Sequence, residues 1–152
     1  MTNDLLVRGL TRVLAGTLVL RCKVRFFGWS LRAPDKSDLG CVFRKDYELL
    51  DRMCDDLADR IADLGGAVPG SYSRLLHLSS VGEDDVRSAD QMVFKLWEGH
   101  RQIGQDIGFL LRIAHQDVDC DTNAMLRNLQ GWHEDIARDF AGLLSGGTDT
   151  IH

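Results

Sequence analysis

Two aspartates at positions four apart are the side chains best suited to chemistry in this sequence. Asp55 and Asp59 come shortly before a glycine pair, Gly65 and Gly66, and on a helix they would project from one face, a turn apart. Carboxylates in that arrangement repel each other by roughly 0.2–0.5 kcal/mol. We therefore expect the pair to be solvated, to bind a metal ion or to face a basic partner, and its surroundings must decide among these roles.

The element that carries the two aspartates is the clearest predicted helix of the chain. Gly65 and Gly66 should end it, because glycine adopts left-handed backbone conformations without steric cost. Its apolar residues recur at intervals of three and four, which is typical of a helix that packs along one seam: Phe43, Tyr47, Leu50, Cys54, Leu57, Ile61 and Leu64.

Three further long helices are predicted from the same periodicity. The first covers residues 4–32, and the break after it, at residues 33–38, offers N-cap residues to the second helix. A capping-box pattern begins the third helix at Ser88. Asp119 and Thr122 are suited to cap the fourth. His100 and His133 lie on the apolar seams of these last two helices, where hydrogen-bonded core histidines are expected.

The order of these elements predicts an all-α fold, a four-helix bundle with a long connection between the second and third helices. A short helix is expected within that connection, at residues 72–78. The bundle should form one domain over residues 1–144, followed by a disordered tail at residues 145–152.

Composition and charge limit the possible partners. The chain of 152 residues has a net charge of −5 and no basic tail, so affinity for nucleic acid is expected to be weak or absent. It has no apolar run of about 18 residues and no cleavable leader pattern, which predicts a cytoplasmic protein that does not span a membrane. The spacing of its four cysteines fits no zinc module, so reduced and mostly buried thiols are expected.

A series of segments follows the order found in a known family of helical bundles: Leu10–Ala15, Trp29, Phe43 with Tyr47, Asp55–Gly66, Pro69–Tyr72, Ser88–Val93, Asp121-Thr122 and His133-Glu134. Through these segments the sequence resembles the Dps mini-ferritins over residues 5–143. The resemblance implies a ferritin-like bundle, a hollow shell of twelve copies, and a role in iron storage and protection against oxidative stress. Members of the family typically oxidise ferrous iron with peroxide, and many coat DNA.

The family's iron site lies between two subunits, and this sequence departs from one half of it. One subunit of the family supplies two histidines and a carboxylate, at positions that here hold Gly28, Gly40 and Arg44. The other subunit supplies two carboxylates one turn apart, and these match Asp55 and Asp59. The resemblance thus implies a degenerate site with no catalytic residue, where Asp55 and Asp59 are a residual half-site for metal.

Two carboxylates alone make a weak cation site, and Arg44 would place a permanent positive charge where iron has to bind. We therefore expect Arg44 of one subunit to pair with Asp55 and Asp59 of another, so that a guanidinium replaces the metal. The predicted function is a Dps-like shell that has lost its ferroxidase centre, alone or assembled with an active paralogue.

Other roles stay open at the level of sequence. Altered ligands, namely Asp55, Asp59 and a cysteine such as Cys41 or Cys54, would keep the chain an active iron-oxidising and iron-storing enzyme. DNA binding as a stress protein is a further alternative. The resemblance also makes Asp117, Asp119 and Asp121 candidates for a cation pore at the three-fold axes, although helix capping explains the same residues.

Overall fold

The fold consists of four long helices and one short one. The computed structural model describes residues 2–114 and 120–150, and among these residues it contains no strand. The helices are α1 (Thr2–Ser30), α2 (Asp35–Asp63), α3 (Tyr72–Leu78), α4 (Ala89–Ala114) and α5 (Cys120–Thr150). The predicted all-α four-helix bundle and the short helix in its long connection are both confirmed. No helix within the described ranges is long and apolar enough to cross a membrane.

The bundle is built from two closely packed helix pairs, α1 with α2 and α4 with α5, which meet mainly through α1 and α4. A short turn at residues 31–34 joins α1 to α2, so these two helices run antiparallel. The predicted apolar seams form the core, although Tyr47, Leu64 and Trp97 are only half-buried. The largest fully buried side chains are Phe43, Phe140, Leu10, Leu14, Leu20, Leu50, Met53, Leu57, Ile61, Met92, Leu96 and Ile103.

The C-terminal end of α2 is closed by the glycine pair, as the sequence predicts. Gly65 has a φ of +83°, and its N–H donates to the carbonyl oxygen of Ala62 at 2.9 Å. The N–H of Gly66 donates to the carbonyl oxygen of Ile61, also at 2.9 Å. These two bonds form a Schellman motif, and they end the helix that carries Asp55 and Asp59.

The predicted helix starts agree with the structure in part. The Ser88 hydroxyl accepts a hydrogen bond from the N–H of Gln91 at 3.1 Å, as expected of an N-cap. Helix α2, in contrast, begins directly after Pro34 without a side-chain cap. Thr122 is buried in the first turn of α5, and its hydroxyl accepts a hydrogen bond from Arg60. Asp119 lies outside the described residues.

The end of α5 differs from the predicted boundary. The sequence predicted a disordered tail from residue 145, whereas the helix continues to Thr150. Glycine inside a helix costs only about 1 kcal/mol relative to alanine, so Gly146 and Gly147 need not end a helix that is already formed.

Gly65 and Gly70 provide a matched test of the Schellman end. A Cβ atom at either position would meet no other atom within 4 Å, but only Gly65 has a positive φ. Gly65→Ala should therefore lower the free energy of unfolding by about 1–2 kcal/mol, and Gly70→Ala should change it by less than about 0.5 kcal/mol. Chemical denaturation of both variants measures the difference. Equal losses would contradict the assigned backbone role of Gly65.

Candidate functional site

Asp55 and Asp59 lie where the sequence predicted, one turn apart on an exposed face of α2. Among the described residues, neither carboxylate has a cation within salt-bridge distance. Arg44 is on the same helix but eleven residues before Asp55, which corresponds to about 16 Å along the helix axis. Within one chain Arg44 and the two aspartates therefore belong to separate surfaces.

The positions opposite the aspartates in the predicted site come together in one pocket. Gly28 on α1 lines a pocket of about 120 Å³ with Gly40 and Arg44 on α2. We call it the α1–α2 pocket. The structure thus joins the three positions that the sequence marked as degenerate. The full lining is Val24, Arg25, Gly28, Trp29, Lys36, Gly40, Phe43, Arg44 and Tyr47.

Two further cations line this pocket that the sequence reasoning missed, Arg25 and Lys36. Each lies one helical turn before a glycine of the pocket, Arg25 three residues before Gly28 and Lys36 four residues before Gly40. That helical spacing was the signal that could have revealed them. The pocket carries three positive charges and no carboxylate, so it is suited to bind an anion.

The cysteines do not add a metal site to this region. Burial raises the pKa of the Cys54 thiol to about 12, although Arg21 nearby favours the thiolate, so Cys54 is a neutral thiol. The expectation of mostly buried thiols is wrong for Cys41 and Cys120, which are exposed on α2 and at the start of α5. In the part of the chain that the structure describes, no three His, Cys, Asp or Glu side chains converge to hold a metal ion.

The acidic pore candidates are only partly within the described structure. Asp121 is exposed in the first turn of α5, where a carboxylate is favoured by the helix dipole. Asp117 and Asp119 lie outside the described residues. Asp121 alone does not distinguish a pore from a favourable helix start.

A chain of buried polar side chains crosses the centre of the bundle. His100 Nε2 on α4 lies 2.9 Å from Asp46 Oδ2 on α2, and His100 Nδ1 lies 2.9 Å from His133 Nδ1 on α5. All three residues are at most 5% exposed. The prediction that both histidines are hydrogen-bonded core residues is confirmed.

The sequence reasoning did not find Asp46, which completes this chain. Asp46 lies three residues after Phe43 and four before Leu50, so it occupies an inward position of an apolar seam, and that was the available signal. Its Oδ2 atom can accept a hydrogen bond from His100, whereas its Oδ1 atom is buried without a partner among the described residues. Burial and the nearby His100 lower the pKa of His133 well below its ordinary value, which keeps that ring neutral.

Several solved structures of Dps proteins have the same fold. Dps from Vibrio cholerae O1 matches with a TM-score of 0.90 and 22% sequence identity, over 94% of this chain and 91% of that one. Dps from Staphylococcus aureus matches with a TM-score of 0.86 and 26% identity, over 91% of this chain and 94% of that one. The bundle with its short α3 helix is therefore the Dps form of the ferritin-like fold.

One solved relative also has two glycines at the spacing found in the α1–α2 pocket. In that variant of Listeria innocua Dps, two histidines twelve residues apart are replaced by glycine. It matches this chain with a TM-score of 0.87 and 20% identity, over 92% of this chain and 94% of that one. Gly28 and Gly40 are also twelve residues apart. The Dps fold thus forms with a pair of glycines at this spacing.

The buried histidine chain predicts acid sensitivity. The pKa of His133 is lowered from 6.5 by folding, so the unfolded chain binds the proton first as the pH falls, and stability decreases below about pH 6.5 by up to about 1.4 kcal/mol per pH unit. His133→Gln should flatten this dependence, and substitution of the exposed His77 by glutamine should preserve it. Urea unfolding between pH 7.5 and 5.5 measures both. An equally steep loss in the His133 variant would contradict the assignment.

A family model and a curated relative complete these comparisons. The chain is 29% identical over 140 residues to an uncharacterized low temperature-induced protein of Nostoc sp., covering 90% of this chain and 78% of that one. The ferritin-like domain model of the ferritin family matches residues 7–147, which include all of α2, α3 and α4. With the helix order and the Dps-type bundle, this match identifies the chain as a member of the ferritin family with the fold of a Dps mini-ferritin.

Proposed function

We propose that the protein is a shell subunit of the Dps mini-ferritin type whose inter-subunit ferroxidase centre has been lost. It would serve as a structural or storage shell, either alone or assembled with an active paralogue that completes the site. The single observation that carries this proposal is the content of the α1–α2 pocket, which has glycines and cations where the family resemblance implies ligands for iron.

Iron does not fit the residues of this pocket. Ferrous iron is bound in such sites by imidazole and carboxylate groups, whereas Gly28 and Gly40 have no side chain and Arg44 carries a fixed positive charge. Arg25 and Lys36 add two more positive charges. A divalent cation would be repelled here, so Asp55 and Asp59 of a second copy would be left as a half-site.

The surface of the single chain supports assembly through more than one interface. Large aromatic side chains that are 40–72% exposed lie on four different helices. Contact of so much apolar surface with water is unfavourable, which indicates that a partner covers it. These side chains are Phe26 and Trp29 on α1, Tyr72 on α3, Phe94 and Phe109 on α4, and Trp132 on α5. A closed homo-oligomeric shell, with twelve copies as in the family, would bury them.

Charge complementarity supports the pairing of Arg44 with a second copy. Arg44 is exposed and has no carboxylate within salt-bridge distance among the described residues, and Asp55 and Asp59 are exposed without a cation. The two groups cannot meet within one chain, because about 16 Å of helix separates them. In an interface between two copies, the guanidinium of one would neutralise the carboxylates of the other.

The remaining functional inferences follow from the same proposal. Asp117, Asp119 and Asp121 would line a route for cations into the shell, which can store metal without oxidising it at the inter-subunit site. The cytoplasm is the expected location. DNA coating is not part of the proposal, because the net charge of −5 opposes it. An active site with altered ligands is disfavoured, because the Cys54 thiol is neutral and Cys41 does not line the pocket.

Ferrous iron with hydrogen peroxide tests the loss of the centre. At a low ratio of iron to shell, the wild-type protein should oxidise iron no faster than buffer does. Gly28→His, Gly40→His and Arg44→Asp together should accelerate oxidation, because they supply the ligand types that the family uses, and no atom besides Phe43 Cβ, at 4.0 Å from the Gly28 position, crowds either glycine.

The matched control adds Asp55→Asn and Asp59→Asn to that triple variant and should abolish the gain, since the opposing half-site is then missing. Stopped-flow absorbance of the ferric product follows all three proteins. Rapid formation of a ferric core by the wild-type protein would overturn the proposal.

The proposed pairing predicts that substitution of Arg44 destabilises the assembly, whereas substitution of the neighbouring Lys45 does not. Arg44→Ala would strand two carboxylates in the interface, at a cost of about 3–5 kcal/mol, and lower the Tm of the assembly by on the order of 10 °C. Lys45→Ala removes the adjacent exposed cation and should have little effect. Adding Asp55→Asn and Asp59→Asn to Arg44→Ala should restore part of the loss.

Light scattering and thermal unfolding at fixed protein concentration measure these effects. If the Arg44→Ala shell is as large and as stable as the Lys45→Ala shell, Arg44 does not pair across the interface.

A further inference from the structure

The α1–α2 pocket has the chemical character of an anion site. The residues that line it include three cations, Arg25, Lys36 and Arg44, and two residues with a polar aromatic side chain, Trp29 and Tyr47. The three cations and the indole only donate hydrogen bonds, and the hydroxyl can donate as well. No carboxylate lines the pocket. A ligand here must therefore accept several hydrogen bonds and carry negative charge.

The three cations lack counter-charges among the described residues, as do the nearby Arg32 and Lys45, whereas two other cations of α1 are paired. Arg21 pairs with Asp51 at 2.7 Å, and Lys23 pairs with Asp84 at 2.7 Å. In contrast, Arg25, Lys36 and Arg44 have no carboxylate within salt-bridge distance in the described parts of the chain. Three like charges thus converge on one pocket of a chain whose net charge is −5.

Two glycines leave space in the pocket, and the side chain of Arg25 is held in place. A Cβ atom at Gly40 would meet no other atom within 4 Å, and one at Gly28 would meet only Phe43 Cβ at 4.0 Å. The guanidinium carbon of Arg25 lies 3.7 Å from the centre of the Tyr47 ring. This stacking fixes the plane of the guanidinium and leaves its N–H edge free for an anion.

The pocket has room for a small ligand. Its volume of about 120 Å³ is well above the space that a single water molecule needs, and it is enough for an ion with four oxygens around one central atom. Arginine and lysine are the side chains that proteins use to hold such phosphate-like groups.

We propose that the α1–α2 pocket binds a free tetrahedral oxyanion of the phosphate class, held mainly by Arg25 and Lys36. The inference rests on the proposed function only for Arg44, which there pairs with Asp55 and Asp59 of a second copy. That pairing sets two carboxylates against the three cations of the pocket, so one net positive charge remains for the oxyanion to neutralise.

Calorimetric titration of inorganic phosphate into the whole assembled protein, at low ionic strength and without iron, tests the proposal. The wild-type protein should show saturable binding with one site per chain. Lys36→Gln and Arg25→Gln should each weaken binding by roughly tenfold, the expected loss for one charge-assisted hydrogen bond. Lys36 is exposed, so its variant should fold even if loss of the Tyr47 stacking disturbs the Arg25 variant.

Lys45→Gln is the matched control, because it removes an exposed cation of the same helix that does not line the pocket. Its phosphate affinity should stay within about twofold of the wild-type value. Absence of saturable binding would overturn the proposal, and so would an equal loss in the Lys45 and Lys36 variants.

Duplex DNA is titrated in the same way. If DNA binds and the Lys36→Gln variant weakens that binding, while inorganic phosphate does not bind, the proposal is overturned, because the site would then recognise the phosphates of a nucleic acid backbone. The titration contains no iron, so its result is independent of whether the shell oxidises iron.

Discussion

The buried hydrogen bonds from Asp46 to His100 and from His100 to His133 are the constraint on which the arrangement of this bundle depends. They join α2 of one helix pair to α4 and α5 of the other, where apolar contacts alone would tolerate small rotations of each helix. Hydrogen bonds are directional, so they set the rotation of α2 about its own axis. That rotation directs Gly40 and Arg44 toward α1 and leaves Asp55 and Asp59 facing outward.

The scaffold and the site it presents are separable in this protein. The core consists of apolar seams that define the Dps form of the ferritin-like fold. Of the residues that line the α1–α2 pocket, Val24 and Phe43 belong to this core and Tyr47 packs against it. Glycine and cationic residues in the pocket between α1 and α2 reduce the stability of the core little. This separation is consistent with the proposal that the bundle keeps its assembly surfaces while the chemistry at one interface changes from cation binding to anion binding.

The described structure also shows why some of the pattern-based expectations were wrong. Cysteine is usually buried, but Cys41 and Cys120 lie on outward faces, which their flanking residues alone did not show. Asp46 occupies an inward seam position although aspartate is normally exposed, because His100 from another helix supplies its hydrogen bond. Burial of a polar group depends on a partner that is distant in sequence, and local periodicity cannot provide that partner.

The sequence by itself determined the helices, the glycine end of α2 and the short helix at residues 72–78, and it supplied the residue types at Gly28, Gly40 and Arg44 from which the loss of the metal site is proposed. These features depend on local spacing and on residue chemistry, and both can be read from the amino-acid sequence. Only the tertiary structure decided that Arg25 and Lys36 join Arg44 in one pocket and that Asp46 completes the histidine chain. These relations depend on which helix faces meet, and that is determined by packing of the whole bundle rather than by any single segment.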